Sequence, residues 1–170
     1  MCGNSGLLEH TLERPPGLIE CQTVLDVGAG IRPMQWYKPD RHECIEPYKP
    51  YVEVLKAAGY IVHHASALTG LRHLVDANEP FEAVYLLDVI EHMEKDEGRR
   101  VLALAQEVAT IQVVVFTPDG FKPQTTDNWG YEGHYWQTHR SGWTPDDFPG
   151  WALTVFPPHR SALLALWNAP

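Results

Sequence analysis

The chain has 170 residues, of which 44% are hydrophobic, and this is enough for one domain with a buried core. Its formal net charge of -9 argues against non-specific binding to nucleic acid, which requires clustered lysine and arginine. The three cysteines (Cys2, Cys21 and Cys44) follow no metal-ligand or redox spacing, and the first residues lack the regions of a signal peptide. We therefore expect reduced thiols in a cytoplasmic protein. The most apolar window, residues 101–116, is too short to cross a bilayer, so we expect no membrane partner.

Residues 23–30 read Thr-Val-Leu-Asp-Val-Gly-Ala-Gly, which predicts a buried strand followed by a glycine turn. Gly28 and Gly30 let the backbone turn sharply and approach a ligand, because neither carries a Cβ atom. Asp26 precedes the turn, where its carboxylate can accept a hydrogen bond from an amine. Glu46 follows the next predicted strand, and an acid at that position can bind both hydroxyls of a ribose. The stretch predicts a site for a nucleoside cofactor.

Strands and helices alternate along the rest of the chain. Further strands are predicted over residues 42–45, 61–64, 81–88, 111–117, 151–156 and 161–167. Helices are predicted over Met34–Tyr37, from Pro50 to about Gly59, from about Leu68 to Asn78, and around Val101–Val108. The last two strands are joined by residues 157–160, a turn short enough for an antiparallel hairpin. The pattern predicts a doubly wound, Rossmann-like, mostly parallel sheet of seven strands that ends in this hairpin.

Ligands bind such a sheet beyond the carboxyl ends of its strands, where the ends meet at one edge. Gly28, Glu46, Ser66, Asp88 and Pro118 all stand at predicted strand ends. We expect these residues to line one rim.

Two segments interrupt the predicted single domain of residues 1–170. Residues 1–22 are weakly patterned, with at most a short helix over Leu7–Leu12. Residues 118–150 form a long aromatic-rich loop, and a loop of that length is commonly a lid or a substrate wall. We expect Trp129–Trp143 to form a mobile wall over an acceptor pocket. The alternative is that these rings plug the open end of the sheet.

The cofactor class follows from the residues around the glycine turn. A dinucleotide fingerprint requires a third glycine, and Pro33 occupies that position, which weakens the case for a nicotinamide oxidoreductase. The Asp-x-Gly-x-Gly motif at 26–30, with Glu46 after the second strand, resembles the class I S-adenosylmethionine-dependent methyltransferases. The segment Leu86–Met93 (Leu-Leu-Asp-Val-Ile-Glu-His-Met) is similar to the fourth-strand motif of that family, and the final hairpin is its closing feature.

The resemblance implies S-adenosylmethionine as the cofactor and assigns each matching residue a role. Asp26 would interact with the methionyl amine, Gly28 and Gly30 would let the backbone pass the cofactor, and Glu46 would hold the ribose. Pro47 and Tyr48 would edge the adenine. Ser66 stands where many relatives have an adenine-binding aspartate, and Asp88 would lie at the methyl-bearing end.

A narrower resemblance concerns a metal. Some magnesium-dependent O-methyltransferases, including small-RNA 2′-O-methyltransferases, carry Glu-x-x-Glu-His after the fourth strand and a later histidine before Glu-Trp-Thr. This chain has Asp88-x-x-Glu91-His92, and His139 precedes Trp143-Thr144. The resemblance implies that Asp88, Glu91, His92 and His139 could hold a divalent ion such as magnesium. The alternative is a metal-free site in which His92 or His139 acts as a base or simply forms hydrogen bonds.

These features favour an enzyme that methylates an oxygen of a small or carbohydrate-like acceptor, with a nitrogen as the alternative, and His92 and His139 are the candidate catalytic residues. We expect the two histidines to face each other, because the fourth and fifth strands are neighbours in the predicted sheet. The competing hypothesis is a catalytically weak, methyltransferase-like subunit that binds and activates a partner. A small molecule is the expected partner in the first case, and nucleic acid is not expected.

Overall fold

The computed structural model describes residues 14–157 and 161–170. Its strands are β1 (Thr23–Val27), β2 (Arg41–Ile45), β3 (Ile61–His63), β4 (Phe81–Leu87), β5 (Ala109–Pro118), β6 (Ala152–Val155) and β7 (Ala162–Asn168). Its helices are α1 (Lys49–Ala57), α2 (Ala67–Asp76), α3 (Lys95–Val108) and the short α4 (His134–Gln137). Single 3-10 turns occupy Ile90–His92 and Pro145–Asp147. Cys2, the amino-terminal residues, the predicted helix at 7–12 and part of the hairpin turn lie outside the described residues.

The seven strands form one sheet in the order β3-β2-β1-β4-β5-β7-β6. Strands β1 to β5 pair in parallel, and β7 pairs antiparallel with both β5 and β6. The predicted fold class is therefore confirmed, hairpin included. The chain order reverses between β1 and β4, because β2 lies on one side of β1 and β4 on the other. Such a reversal opens a crevice at the carboxyl ends of the two strands.

Each face of the sheet carries its own core. On one face, strand residues such as Leu25, Val84 and Val113 pack against α2 and α3. On the other face, Val24, Tyr85 and Val114 pack against Leu18 and Met34, which lie in irregular segments. The helix α1 covers only the β2 and β3 side of that second face, through Leu55. No helix of the described residues is long and apolar enough to cross a membrane.

The predicted helix at Met34–Tyr37 is wrong, since residues 32–40 contain no helix. The backbone N–H of Met34 donates to Oδ2 of Asp26 at 3.0 Å, not to a carbonyl of a preceding turn. The hydroxyl of Tyr37 accepts the N–H of Cys21 at 3.1 Å. Side chains and strand ends therefore satisfy the polar groups of this short connection, and a helix does not form.

Trp143 lies in the core, which corrects the expectation that all of Trp129–Trp143 stays outside it. The indole of Trp143 is 1% exposed and packs against Phe148. Its Nε1 donates to Oγ of Ser141 at 3.0 Å, and the ammonium of Lys95 lies 4.1 Å from the ring centroid. This end of the loop packs against the sheet and α3, which agrees with the alternative prediction that the aromatic rings of the loop are buried. The mobility of the remaining loop stays a prediction.

The contact between Trp143 and α3 requires Gly98. A Cβ atom on Gly98 would lie 2.5 Å from Cζ2 of Trp143, so Gly98→Ala should lower the free energy of unfolding by about 1–3 kcal/mol. Helix propensity alone would favour alanine by about 1 kcal/mol. Urea unfolding measures the difference, and the Trp143→Phe background is the control, because phenylalanine lacks the ring atoms at the clash. An equal loss in both backgrounds would contradict the steric explanation.

Candidate cofactor and acceptor site

A cavity of about 500 Å³ opens at the carboxyl ends of β1 and β4, where the strand order reverses. Six of the eight predicted cofactor residues line it, namely Gly28, Gly30, Glu46, Pro47, Ser66 and Asp88. The predicted histidines His92 and His139 line the same cavity, together with Glu91. The predicted rim therefore exists, and one cavity joins the glycine turn and Glu46 at its first end to His92 and His139 at its second end.

The glycine turn can be formed only without side chains. Gly28 and Gly30 have φ angles of 66° and 58°, which lie in the left-handed region. The N–H of Gly28 donates to the carbonyl of Ile45 at 2.7 Å, and a Cβ atom on Gly28 would lie 2.8 Å from the side chain of Val89. The turn thus fits tightly between the end of β2 and the segment after β4.

Glu46 is the buried acid of the cofactor end. Its two oxygens accept the N–H groups of Gly30 and Tyr48, both at 2.8 Å. Burial raises the pKa of Glu46 to about 7, although these two hydrogen bonds lower it in part. The carboxyl lies at the cavity wall between the glycine turn and the start of α1. It is therefore positioned to accept further hydrogen bonds from a ligand.

Asp26 is not among the residues that line the cavity. It is 2% exposed, and Oδ2 receives the N–H of Met34 and contacts Nε2 of His42. It therefore holds the connection after the glycine turn in place. The contact with a methionyl amine that the resemblance implied stays a prediction.

Ser66 and Tyr48 differ in how they relate to the cavity. Ser66 lines it and caps α2, with Oγ accepting the N–H of Thr69 at 3.2 Å. Tyr48 is absent from the lining, and its hydroxyl donates to the carbonyl of Tyr131 at 2.6 Å. Tyr51, one turn later on α1, lines the cavity instead.

Two buried carboxyl groups mark the other end of the cavity. Asp88 has a φ angle of 54°, and its N–H donates to the carbonyl of Phe116 at 2.8 Å. Glu91 is 1% exposed and accepts the hydroxyl of Thr117 at 3.0 Å. Burial raises the pKa of both groups, and the Asp88 carboxyl raises that of Glu91 further. Within the described residues, Oδ1 of Asp88 and Oε1 of Glu91 are buried and receive no hydrogen bond from a donor group, and the two carboxyl groups are close enough to share a proton.

His92 and His139 face each other, as predicted. Their ring centroids lie 4.8 Å apart, with an interplanar angle of 71°. Nδ1 of His139 lies 2.6 Å from the carbonyl of Lys122, which can only accept, so Nδ1 carries the proton and Nε2 has a free lone pair. Burial and the neighbouring His139 lower the pKa of His92 to about 4, and burial also lowers that of His139.

The structure brings together three of the four predicted metal ligands. One ligand atom from each of Glu91, His92 and His139 lies within 4.8 Å of the other two. Asp88 is not part of this group. Nδ1 of His92 is buried and, like Oε1 of Glu91, has no hydrogen-bond partner among the described residues.

In sequence, the chain matches no protein-family model and no curated protein. In structure, it is similar to a SAM-dependent methyltransferase from Archaeoglobus fulgidus, with a TM-score of 0.61, 12% identity and coverage of 87% of this chain and 86% of that one. It is also similar to magnesium protoporphyrin IX methyltransferase from Synechocystis with bound SAM (TM-score 0.57, 9% identity, 88% and 71% covered). A third is an O-methyltransferase family protein from Burkholderia thailandensis (TM-score 0.60, 13% identity, 88% of this chain and 51% of that one).

The chain has the class I S-adenosylmethionine-dependent methyltransferase fold. The resemblance stated for the sequence is thereby confirmed for the fold. Because the identities are only 9% to 13%, these similarities show the fold, and the reaction is inferred from the residues of this chain.

The residues that follow His139 are held by hydrogen bonds to the segment after β4. The carbonyl of Glu91 accepts the N–H of Arg140 at 2.7 Å and that of Ser141 at 3.1 Å. Oγ of Ser141 donates to the carbonyl of Ile90 at 3.1 Å and accepts Nε1 of Trp143. Sequence reasoning missed Ser141, since a serine in a long loop gives no signal of burial.

Ser141→Ala should lower the free energy of unfolding by about 1–3 kcal/mol, because it leaves Nε1 of Trp143 without a partner and the carbonyl of Ile90 with only the 3.5 Å hydrogen bond from the N–H of Met93. Urea unfolding measures this loss. Thr138→Ala is the matched control, since its hydroxyl also donates to a carbonyl, that of His134, but is exposed. We expect the control to change the free energy by about 0.5 kcal/mol or less. Equal losses in the two variants would show that the burial of Ser141 does not increase the contribution of its hydrogen bonds to the free energy of unfolding.

Proposed function

We propose that this protein is an S-adenosylmethionine-dependent methyltransferase that methylates an oxygen of a small-molecule acceptor. One observation carries the proposal: a single cavity joins the glycine turn and Glu46 to the facing pair His92 and His139. The glycine turn and Glu46 suit a nucleoside cofactor, and the two histidines suit removal of a proton from an acceptor. The similarity to structures of methyltransferases supports it.

The sulfonium of the bound cofactor supplies an electrophilic methyl group, so the protein's task is to align the acceptor and remove its proton. Nε2 of His139 is the proton acceptor in this proposal, because it has a free lone pair and a neutral ring at pH 7. With the cofactor held at the glycine turn and Glu46, His139 would take the proton of the acceptor hydroxyl as that oxygen receives the methyl group. The hydrogen bond to the carbonyl of Lys122 orients the His139 ring, and His92 packs against it.

The nature of the acceptor follows from the lining near His139. Tyr135 and Trp136 present aromatic rings in the lining, and its five carboxyl side chains, among them Glu94 and Glu97, outnumber its two guanidinium groups, Arg32 and Arg140. An acidic protein with such a lining favours a small uncharged or cationic molecule over nucleic acid. A cytoplasmic location is also part of the proposal, since Cys21 and Cys44 are free thiols.

A second candidate role is a divalent metal centre at Glu91, His92 and His139. The two buried donor atoms without partners, one on Glu91 and one on His92, favour it. Two imidazoles and one carboxylate suit manganese, cobalt or zinc better than magnesium, which prefers oxygen ligands. An ion held by these residues would acidify a hydroxyl bound beside it.

Cofactor binding should depend on the ionisation of Glu46. Ribose hydroxyls donate to the ionised carboxylate, so cofactor binding lowers the pKa of Glu46, which is about 7 in the free protein. Below pH 7, binding therefore releases a proton. The affinity for S-adenosylhomocysteine should therefore rise about tenfold between pH 6 and pH 8. Isothermal titration calorimetry in two buffers measures both the affinity and the proton release.

Glu46→Gln is the control for this pH dependence. It should weaken binding at pH 8 by about 1–3 kcal/mol and abolish the rise in affinity with pH. A pH dependence that persists in Glu46→Gln would assign it to another group, such as Asp88. A wild-type protein that gives no heat with S-adenosylhomocysteine would overturn the proposed function.

Metal binding can be tested without knowing the acceptor. Manganese added to chelator-treated protein should raise the thermal midpoint, with a stabilisation of about 2.7 kcal/mol at one hundred times the dissociation constant. Glu91→Gln should remove this shift, and His73→Ala, which changes an exposed histidine on α2, should keep it. Equal shifts in all three proteins would place the metal elsewhere, and no shift would leave His139 as the proton acceptor.

A further inference from the structure

Residues 124–139 form an arch over the cavity, and its two ends are tied together. The N–H of His139 donates to the carbonyl of Gln124 at 3.0 Å, and Nε2 of Gln124 donates to the carbonyl of Gln137 at 2.9 Å. One flank of the arch carries Trp129, and the other carries Trp136 and His139. Both flanks line the same cavity, so the arch spans from its cofactor end to its acceptor end.

Trp129 rests directly on the glycine turn. A Cβ atom on Gly30 would lie 2.4 Å from Cζ3 of Trp129, so the indole packs against the face that the missing side chain leaves open. The ring also contacts Tyr51 edge to face, with centroids 5.3 Å apart. Trp129 therefore belongs to the cofactor end, not to the acceptor wall that the sequence suggested.

The turn that presents Trp129 is built around Asp127. Its carboxylate accepts the N–H groups of Trp129 at 2.7 Å, Tyr131 at 3.0 Å and Gly133 at 2.9 Å. Burial alone would raise the pKa of Asp127, but hydrogen bonds led by that of Gly133 outweigh burial and lower it. All three bonds lie within the arch, so the turn can move as a unit without breaking them.

We propose that Trp129 is a lid residue that closes over the nucleoside cofactor, and that the arch lifts to let the cofactor enter and leave. The inference rests on the proposed function. A cavity of about 500 Å³ remains with the ring in place, and Gly28, Glu46 and Asp88 line it together with Trp129. The indole is thus a wall of the cofactor space and does not fill it.

The contacts that tie this flank to the rest of the protein run to Tyr48, Tyr51 and Gly30. Lifting the turn breaks the hydrogen bond from the Tyr48 hydroxyl to the carbonyl of Tyr131, the ring contacts with Tyr51 and the packing of Trp129 on Gly30. Since His139 belongs to the same arch, a lifted arch also disturbs the acceptor end. The cofactor must therefore bind before the acceptor site is complete.

The test follows dissociation of labelled S-adenosylmethionine, chased with unlabelled S-adenosylhomocysteine. Trp129→Ala removes the lid and Asp127→Asn loosens its turn, and each should speed dissociation by about three- to tenfold. Tyr48→Phe removes only the hydroxyl that ties the arch down, so association and dissociation should accelerate together. Phe121→Ala is the control, because it removes an exposed ring of the same loop that does not line the cavity.

The outcomes separate the lid from the proposed function. Tighter binding by Trp129→Ala would mean that the ring occupies the ligand's place, and unchanged rates in all variants would mean that no lid exists. Either result overturns the lid while the cofactor still binds. Circular dichroism verifies that each variant is folded, and Trp129→Phe, with a smaller ring, should show an intermediate rate. A wild-type protein that binds neither ligand would overturn the proposed function itself.

Discussion

The arrangement of the site depends on one backbone carbonyl, that of Glu91. It accepts two N–H groups, those of Arg140 and Ser141, and so joins the segment after β4 to the far end of the long loop. On one side of this joint, Trp143 enters the core beneath α3. On the other side, the chain runs back through His139 and over the cavity. The position of His139 opposite His92 is a consequence of this joint, since neither imidazole holds the other by a hydrogen bond.

Burial favours the neutral form of five titratable groups in the cavity. It raises the pKa values of Glu46, Asp88 and Glu91 and lowers those of His92 and His139. Both changes favour the neutral form, so the cavity carries less charge near pH 7 than its residue types suggest. A cation that enters would favour the ionised carboxylates again, because opposite charges stabilise each other in a low dielectric. These three carboxyl groups are thus ionised more fully when a positive ligand is present.

Much of this site could be predicted from the sequence, because its signals are local. The glycine turn, the acid after β2 and the Glu91-His92 pair each follow a strand that the pattern of apolar residues identifies. The parallel sheet then brings strand ends together, which is why the distance between His92 and His139 was predictable. What the sequence could not reveal depends on contacts between distant segments. Trp129 and Trp143 come from the same aromatic loop, yet one covers Gly30 and the other enters the core.

The second face of the sheet shows how irregular chain can replace a helix. Leu18 and Cys21 are buried against β1, β4 and β5, together with Met34 from the connection to β2. Residues 14–22, which contain no strand or helix, thus serve as part of the core wall. A shortened chain that began at β1 would keep every strand but lose Leu18 and Cys21 from this core, and the connection that carries Met34 would still pack on the same face. The boundaries of the regular elements therefore do not mark the boundaries of the core.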